Sequence, residues 1–225
     1  MGDRRRIALI NAVPAAIEPA RAALERSMPD VDVWSILDDR LLQDADQSGG
    51  LTEQLRARML RLIDHAMLEG ADGVLLTCSM YGPVATDAPT QGNLPVIGAD
   101  EAAFEAVAEL AGRRIAVVAS QRAPLEDTML RLREYLAEVG SAVELVPIVP
   151  DGAFAASRGA NASALVTAIQ SALPTSPHLD ALFLAQYSLA PAAPALASTG
   201  LTVITGPDRA AARLRVAILG NGLGA

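Results

Sequence analysis

Short apolar runs recur along the chain, separated by amphipathic stretches, so that each half reads strand, helix, strand, helix, strand, short helix, strand, helix. The apolar runs are continuous, as expected for parallel strands buried on both faces. They lie at about 6–12, 31–36, 73–77, 95–98, 114–119, 143–149, 180–185 and 201–205. The segment Thr52 to Glu69 shows helical spacing most clearly, and Gly70 is placed to end that helix. This alternation predicts βαβ units and parallel sheets.

The same pattern occurs twice, about half the chain apart. The segments that match at an offset of 108 residues are Arg5–Ile10 with Arg113–Val118 and Ala71–Leu76 with Leu179–Leu184. Because internal repetition reflects architecture, the chain is predicted to contain two copies of one strand–helix unit. The repeat also makes Ile7–Ile10 a predicted core strand rather than part of a cleaved secretory signal.

These observations predict an α/β fold with two pseudo-symmetric lobes, each built on a four-stranded, mainly parallel sheet flanked by helices. The expected boundaries are 1–112 for the first lobe and 113–206 for the second; a C-terminal helix in 207–225 is expected to pack back on the first lobe. Ligands of such sheets bind beyond the carboxyl ends of the strands. An active-site cleft lined by strand ends is therefore expected between the lobes.

Composition narrows the classes of function. The net charge of −8 argues against nucleic acid or an anionic membrane as a partner, because both favour a basic surface. The single cysteine excludes an internal disulfide and a multi-thiolate zinc site, and neither a metal nor a cofactor is expected. No apolar run is long enough to span a membrane. We expect a cytoplasmic protein with a small-molecule ligand, and the sequence leaves room for a homo-oligomer.

The one thiol of the chain follows the third strand of the first half. Cys78 stands between Thr77 and Ser79, with Met80 and Tyr81 after them. The backbone N–H groups of the three residues after the thiol would bind a carboxylate or enolate oxygen and stabilise a thiolate, which makes Cys78 a candidate base, acid or nucleophile. The alternative is that Cys78 only fills space in the core, as free cysteines often do.

Polar residues also end the equivalent strands. At the offset of 108, Gln186 takes the place of Cys78. Further candidates for substrate contacts at strand ends are Asn11, Ser120, Tyr187 and Ser188. The first two would serve equally well as helix-cap or turn residues. Polar ends on equivalent strands favour a functional cleft over an accident of packing.

Three segments give the chain a resemblance to a known superfamily of enzymes. They are Gly70–Ser79, Leu94–Gly98 and Thr205–Asp208. Together with the duplicated α/β pattern, they resemble the aspartate/glutamate/hydantoin racemase superfamily, whose relatives include arylmalonate decarboxylases and maleate isomerases. The resemblance covers essentially the whole chain.

In that superfamily, racemases carry two cysteines on opposite sides of the substrate α-carbon; one removes the proton and the other returns it. The resemblance implies that Cys78 is the first of these, and that Ser79 and Met80 bind the substrate carboxylate. It also implies a substrate contact by Ser120 from the second half. Gln186 stands in the place of the second cysteine, and an amide is neither an acid nor a base at neutral pH. Symmetric two-thiol racemisation is therefore not expected.

The function implied is that of a cofactor-independent enzyme acting on a small carboxylate through an enolate-like intermediate, with Cys78 transferring the proton. The residues expected to hold the oxyanion or orient the substrate are Thr77, Ser79, Gln186 and Ser188. A one-thiol decarboxylase and a cis–trans isomerase of the same family are alternatives. So are a racemase whose second acid is Tyr187 or a loop carboxylate, and a non-catalytic protein that binds a small acid.

Overall fold

A computed structural model of the protein describes residues 4–88, 94–174 and 178–221, so residues 222–225 of the expected C-terminal helix lie outside the described ranges. The strands are β1 Arg6–Asn11, β2 Asp32–Leu37, β3 Gly73–Leu76, β4 Val96–Ile97, β5 Arg114–Val118, β6 Glu144–Ile148, β7 Ala181–Leu184 and β8 Thr202–Thr205. The helices are α1 Ile17–Ser27, α2 Leu41–Ser48, α3 Glu53–Leu68, α4 Val84–Asp87, α5 Glu101–Ala108, α6 Arg122–Glu138, α7 Ala153–Arg158, α8 Ala162–Ala172, α9 Ala193–Ala197 and α10 Gly206–Asn221. None of the helices in these ranges is long and apolar enough to cross a membrane.

The strands form two parallel sheets of four strands each, in the orders β2-β1-β3-β4 and β6-β5-β7-β8. The predicted fold class, α/β with two four-stranded parallel sheets flanked by helices, is confirmed. One detail differs, because the connections β2–β3 and β6–β7 each contain two helices where one was expected. In the first connection the break falls at Gly49, whose φ of +73° ends α2 in the left-handed region.

The helix predicted from Thr52 to Glu69 is α3, and its ends show why it begins and stops there. The Thr52 hydroxyl accepts a hydrogen bond from the Leu55 N–H at 3.3 Å, which caps the first turn. At the other end Gly70 has a φ of +82°, and the Ala71 N–H donates to the Ala66 carbonyl at 3.0 Å. This is a Schellman motif, in which glycine permits the left-handed residue that closes the helix.

The repeat is visible at the amino ends of equivalent strands. Asp72 accepts a hydrogen bond from the Arg6 N–H at 2.7 Å, and Asp180 accepts one from the Arg114 N–H at 2.8 Å. The bond from the Arg114 N–H lowers the pKa of the Asp180 carboxyl below its usual value. The Arg-Arg pair that recurs in the repeat therefore lies at the amino ends of β1 and β5. There the backbone N–H of the second arginine donates to an aspartate.

The chain divides into two compact units whose boundaries differ from the predicted lobes. The first unit contains the chain up to Glu101 and again from Ala210 onward, and the second contains Ala102–Arg209. Helix α5 follows β4 but belongs to the second unit, whereas the larger part of α10 follows β8 and belongs to the first. Each unit is thus completed by a helix that follows the sheet of the other. The predicted boundary at residue 112 lies after α5 because the apolar pattern shows which face of a helix is buried, not which core receives it.

In the first unit the sheet is covered on both faces. Ala8 and Ile10 share a buried cluster with Ile63 of α3. The other face receives α10, and a Cβ at Gly73 would lie 2.9 Å from Leu214 Cδ1. Glycine at the start of β3 therefore lets α10 approach the sheet closely.

In the second unit alternate residues of β5 face opposite cores. Ile115 and Val117 pack in a cluster that contains Phe104 of α5, and Ala116 and Val118 pack in another with α7 and α8. This alternation is what strands covered on both faces require. The end of β5 is consequently held firmly by two apolar cores.

Candidate active site

The strand order creates a switch point in each sheet. From β1 the chain crosses to β2 on one side and later returns to β3 on the other side of β1, so the connections leaving β1 and β3 diverge. Such a switch point opens a crevice at the carboxyl ends of the two strands, where α/β proteins bind ligands. In the first unit Asn11 and Thr77 lie there, and in the second unit Ser120 and Gln186 occupy the same place.

Asn11 and Thr77 form a buried polar pair at this edge. The Asn11 Nδ2 donates to the carbonyls of Leu9 and Ile36, both at 3.2 Å, and its Oδ1 accepts from the Thr77 hydroxyl at 2.9 Å. Both residues are buried. Their polar groups bond inside the protein, which gives the pair a structural role. The substrate contact expected of Asn11 and the oxyanion contact expected of Thr77 stay predictions. The pair ties together the ends of β1, β2 and β3.

Cys78 comes directly after this pair and is partly exposed. It is extended, with φ −113° and ψ 121°, and a 3₁₀ turn over Ser79–Tyr81 starts behind it. The Cys78 carbonyl accepts from the Tyr81 N–H at 3.0 Å, which closes the turn. The first N–H groups of such a turn, those of Ser79 and Met80, have no acceptor within it. A thiol thus stands at the switch point beside two backbone donors.

The Tyr81 side chain lies in the core of the first unit. Its ring is fully buried, and its hydroxyl donates to the Leu41 carbonyl at 2.8 Å. Burial, with a smaller contribution from the charge of Cys78, raises the pKa of Tyr81 to about 12. Both the hydroxyl and the N–H of Tyr81 bond within the protein, and the substrate contact predicted for Tyr81 stays a prediction. The Met80 side chain packs on the same core, which leaves its N–H as the group that would contact a substrate.

Asp100 joins the turn through Ser79. The Ser79 hydroxyl donates to Asp100 Oδ1 at 3.0 Å, and Asp100 is only 2% exposed. The residue follows β4, which pairs with β3, so the carboxyl ends of two neighbouring strands bring the two side chains together. A polar residue just after a strand adjacent to β3 was the signal that would have found it.

A second carboxylate lies against the same turn. A Cβ at Gly82 would lie 3.0 Å from Glu101 Oε1, and a Cβ at Gly98 would collide with the whole carboxylate group. Glycine at these two positions therefore admits the Glu101 side chain. The residues after Cys78 are accordingly backed by two acidic groups.

In the second unit Ser120 holds Gln186. The Ser120 N–H and hydroxyl both donate to Gln186 Oε1, at 2.7 Å and 2.8 Å. With its oxygen engaged twice, the amide presents its Nε2 with two N–H donors. Ser120 is 6% exposed, and both of its donors bond to Gln186 and hold the amide in place. The substrate contact expected of Ser120 stays a prediction.

Cys78 and Gln186 occupy equivalent local structures, as the repeat predicts. Gln186 is extended, with φ −137° and ψ 141°, and like Cys78 it precedes a 3₁₀ turn, here Tyr187–Ala192. Tyr187 is 4% exposed, whereas Gln186 and Ser188 are partly exposed. The second unit therefore presents an amide donor where the first presents a thiol.

Among residues 4–88, 94–174 and 178–221, no group of three or more His, Cys, Asp or Glu side chains is arranged to hold a metal ion. The switch point of the first sheet carries a thiol, backbone N–H groups and two carboxylates, and the switch point of the second sheet carries an amide. Such groups transfer protons and hold small polar ligands.

The chain matches a known protein family over most of its length. Residues 13–214 match the family described as Asp/Glu/Hydantoin racemase. The chain belongs to the Asp/Glu/hydantoin racemase family. Racemases are isomerases, and membership places the protein in that class of enzymes. The matched range includes both Cys78 and Gln186, so the departure at Gln186 lies within the family's own domain.

Solved structures of other racemases have the same fold. A glutamate racemase of Bacillus anthracis superposes with a TM-score of 0.71 at 13% identity, covering 97% of this chain and 83% of that chain. An aspartate racemase of Picrophilus torridus gives 0.66 at 12% identity, covering 95% and 94%. An allantoin racemase of Klebsiella pneumoniae gives 0.64 at 21% identity, covering 96% and 89%. At these identities the likeness concerns the fold alone. The search of curated protein sequences gave no significant match.

Proposed function

We propose that this racemase-family protein is a cofactor-independent enzyme that acts on a small carboxylic acid through an enolate-like intermediate, with Cys78 as its proton-transfer residue. The observation that carries the proposal is the position of the thiol. Cys78 is the only cysteine of the chain and stands, partly exposed, at the switch point of the first sheet. The amide groups that follow it supply donors for an oxyanion.

The chemistry needs only groups that the chain provides. The Cys78 thiolate removes the proton from the α-carbon, and the electron pair of the C–H bond passes into an enediolate. The N–H groups of Ser79 and Met80 stabilise the negative oxygen. The thiol then returns a proton to the same face of the α-carbon and becomes a thiolate again, so this step alone exchanges the α-proton with solvent and gives back the substrate. Gln186, with two N–H donors on its Nε2, orients the substrate by bonding to an oxygen.

Gln186 favours a reaction that needs only one face of the α-carbon over racemisation. A racemase must protonate the α-carbon from the face opposite the one that lost the proton, and an amide is not an acid for that step. A decarboxylation needs one face only: carbon dioxide leaves with its bond pair going into the enediolate, and the Cys78 thiol protonates the carbon. A cis–trans isomerisation that begins with attack by the Cys78 thiolate also needs one thiol.

The test is deuterium incorporation. The protein is incubated in deuterated water with a panel of amino acids, hydantoins, arylmalonates and maleate, and the products are followed by NMR. The proposal expects deuterium at the α-carbon of a product or recovered substrate, and expects none with Cys78→Ala. Loss of carbon dioxide with one labelled enantiomer supports the decarboxylase form.

A binding protein without catalysis is the outcome that would overturn the proposal. It would show ligand-induced thermal stabilisation with one of these acids, but neither label nor product. Label that persists in Cys78→Ala would instead remove Cys78 from the chemistry. Circular dichroism of the variant checks that the fold is retained, since alanine is only slightly smaller than cysteine.

A further inference from the structure

Tyr81 and Leu189 occupy equivalent positions in the two units. Their N–H groups close the two 3₁₀ turns by donating to the carbonyls of Cys78 and Gln186, each at 3.0 Å. Both side chains are buried and pack in a core on one face of their sheet. An aliphatic side chain therefore suffices to build this kind of turn. The hydroxyl of Tyr81 is an addition at the turn that follows the thiol.

This hydroxyl links the turn to a neighbouring helix. It donates to the Leu41 carbonyl at 2.8 Å, and Leu41 is the first residue of α2. A buried hydroxyl that loses its acceptor costs free energy, so the bond limits how far the turn can move from α2. The turn is thus attached to β3 at its beginning and to α2 at its end.

Helix α2 is itself held on α3. The Arg58 guanidinium, on α3, bonds to both carboxylate oxygens of Asp38, each at 2.7 Å, and to Asp44 at 2.8 Å. Asp38 lies just before α2 and Asp44 lies within it. A bidentate pair of guanidinium and carboxylate is geometrically specific, and these pairs are partly buried. Because Leu41 lies between the two aspartates in the sequence, its carbonyl is a fixed acceptor.

We propose that Tyr81 is a positioning residue for Cys78. Its hydroxyl, held by the Leu41 carbonyl, keeps the 3₁₀ turn in one conformation. The N–H groups of Ser79 and Met80 then stay aligned beside the thiol. Since a thiolate is stabilised only by donors that point at it, a looser turn would make Cys78 less reactive. This inference rests on the proposed function and deepens it, because it concerns how the site prepares its proton-transfer residue.

The test is the pH dependence of Cys78 alkylation by iodoacetamide, measured by mass spectrometry on the intact protein, whose only thiol is Cys78. Tyr81→Phe keeps the ring and removes only the hydroxyl. We expect the pH of half-maximal rate to rise by about half a unit to one unit, which slows the reaction about three- to tenfold below that pH. A hydroxyl that only stabilised the core would lower the urea midpoint and leave this profile unchanged.

Two further variants show whether Tyr81 acts through α2. Arg58→Lys keeps the charge but cannot make the bidentate pair with Asp38, so α2 should be held less firmly. It should shift the profile in the same direction, and the double variant should resemble Tyr81→Phe alone because both side chains act along one chain of contacts. Shifts that simply add would overturn the route through α2. Tyr81→Leu, which copies Leu189, should fold and show the same shift as Tyr81→Phe.

The matched control is Thr52→Ala, which removes the hydroxyl that caps α3 in the same unit. It should lower the urea midpoint and leave the alkylation profile of Cys78 unchanged. Equal shifts of the profile in Thr52→Ala and Tyr81→Phe would reduce the effect to a general loss of stability and overturn the inference. An unchanged profile in Tyr81→Phe would also overturn it. A wild-type thiol that reacts no faster than free cysteine would instead overturn the proposed function, and this inference with it.

Discussion

Ser120 donates two hydrogen bonds to one atom of Gln186, from its N–H at 2.7 Å and from its hydroxyl at 2.8 Å. This arrangement decides which way the Gln186 amide faces, since the oxygen is taken and the two N–H donors remain. Gln186 is accordingly a fixed donor. The equivalent position of the first unit is occupied by the thiol of Cys78.

The first prediction concerns stereochemistry. The wild type should form a product of one configuration, because Gln186 supplies no acid or base for the second face. Gln186→Cys should gain the ability to interconvert both enantiomers of an α-substituted acid, as chiral chromatography of the products would show. Interconversion by the wild type at comparable rates in both directions would mean that another residue is the second base.

The second prediction concerns Ser120. Ser120→Ala removes the hydroxyl bond to Gln186 and leaves the backbone bond, so the amide should become less ordered rather than free. We expect KM to rise about three- to tenfold, with little change in kcat, because in the proposed function the amide of Gln186 orients the substrate and does not transfer the proton. Steady-state kinetics of the two proteins measures this difference. The rate of Cys78 alkylation serves as the control and should stay unchanged.

The third prediction concerns the thiol itself. If the turn after Cys78 stabilises a thiolate, iodoacetamide should react with Cys78 at neutral pH at least tenfold faster than with free cysteine, and a bound acid should slow the reaction. Mass spectrometry of the intact protein at timed intervals gives both rates. A slow reaction that no acid affects would show Cys78 to be a residue that only fills space.

The fourth prediction is a pH dependence of stability. The pKa of Tyr81 is about 12 in the folded protein, above its ordinary value of 10.0. Folding therefore stabilises the neutral form of the Tyr81 hydroxyl. The unfolded chain loses this proton first, and the stabilisation present below about pH 10 is lost as the pH rises towards 12. Tyr81→Phe should show a smaller decline in urea midpoint over that range. Equal declines in the two proteins would contradict the raised pKa.

The fifth prediction tests the helix that closes the first unit. Leu214 is fully buried on α10 and lies close to Gly73 at the start of β3. Leu214→Ala should lower the free energy of unfolding by about 2–5 kcal/mol, the usual cost of a cavity at a buried leucine. Val216→Ala on the exposed side of the same helix should change it by less than about 0.5 kcal/mol. Urea denaturation of both variants gives the comparison.

Features that depend on local pattern and on the repeat could be predicted from the sequence. The offset of 108 residues made Gln186 the equivalent of Cys78, and the two residues have the same extended conformation before a 3₁₀ turn. Asp72 and Asp180 each accept a hydrogen bond from an arginine N–H, because the repeat preserves the amino ends of the equivalent strands. Such features can be predicted from the spacing of apolar residues, the lengths of the apolar segments and the positions of glycine in the sequence.

Features that depend on contacts between distant segments could not be predicted. Asn11 uses its amide on the Ile36 carbonyl, which reaches it only through the register of β1 and β2. Ser79 finds Asp100 only because β3 and β4 are neighbours. A side chain at a strand end looks available in the sequence, and the neighbouring strand decides whether its donors are already used.

The exchange of α5 and α10 between the units has a consequence for biosynthesis. Leu214 and Ile218, which cover β3, leave the ribosome after the whole sheet of the second unit. The second unit, which takes α5 early, has all its residues outside the ribosome before the first unit does. Domains usually fold in the order of their synthesis. In this protein the amino-terminal sheet is covered on both faces only after α10 has been synthesised. Nascent chains arrested before residue 210 should therefore expose the β3 surface to chaperones and proteases.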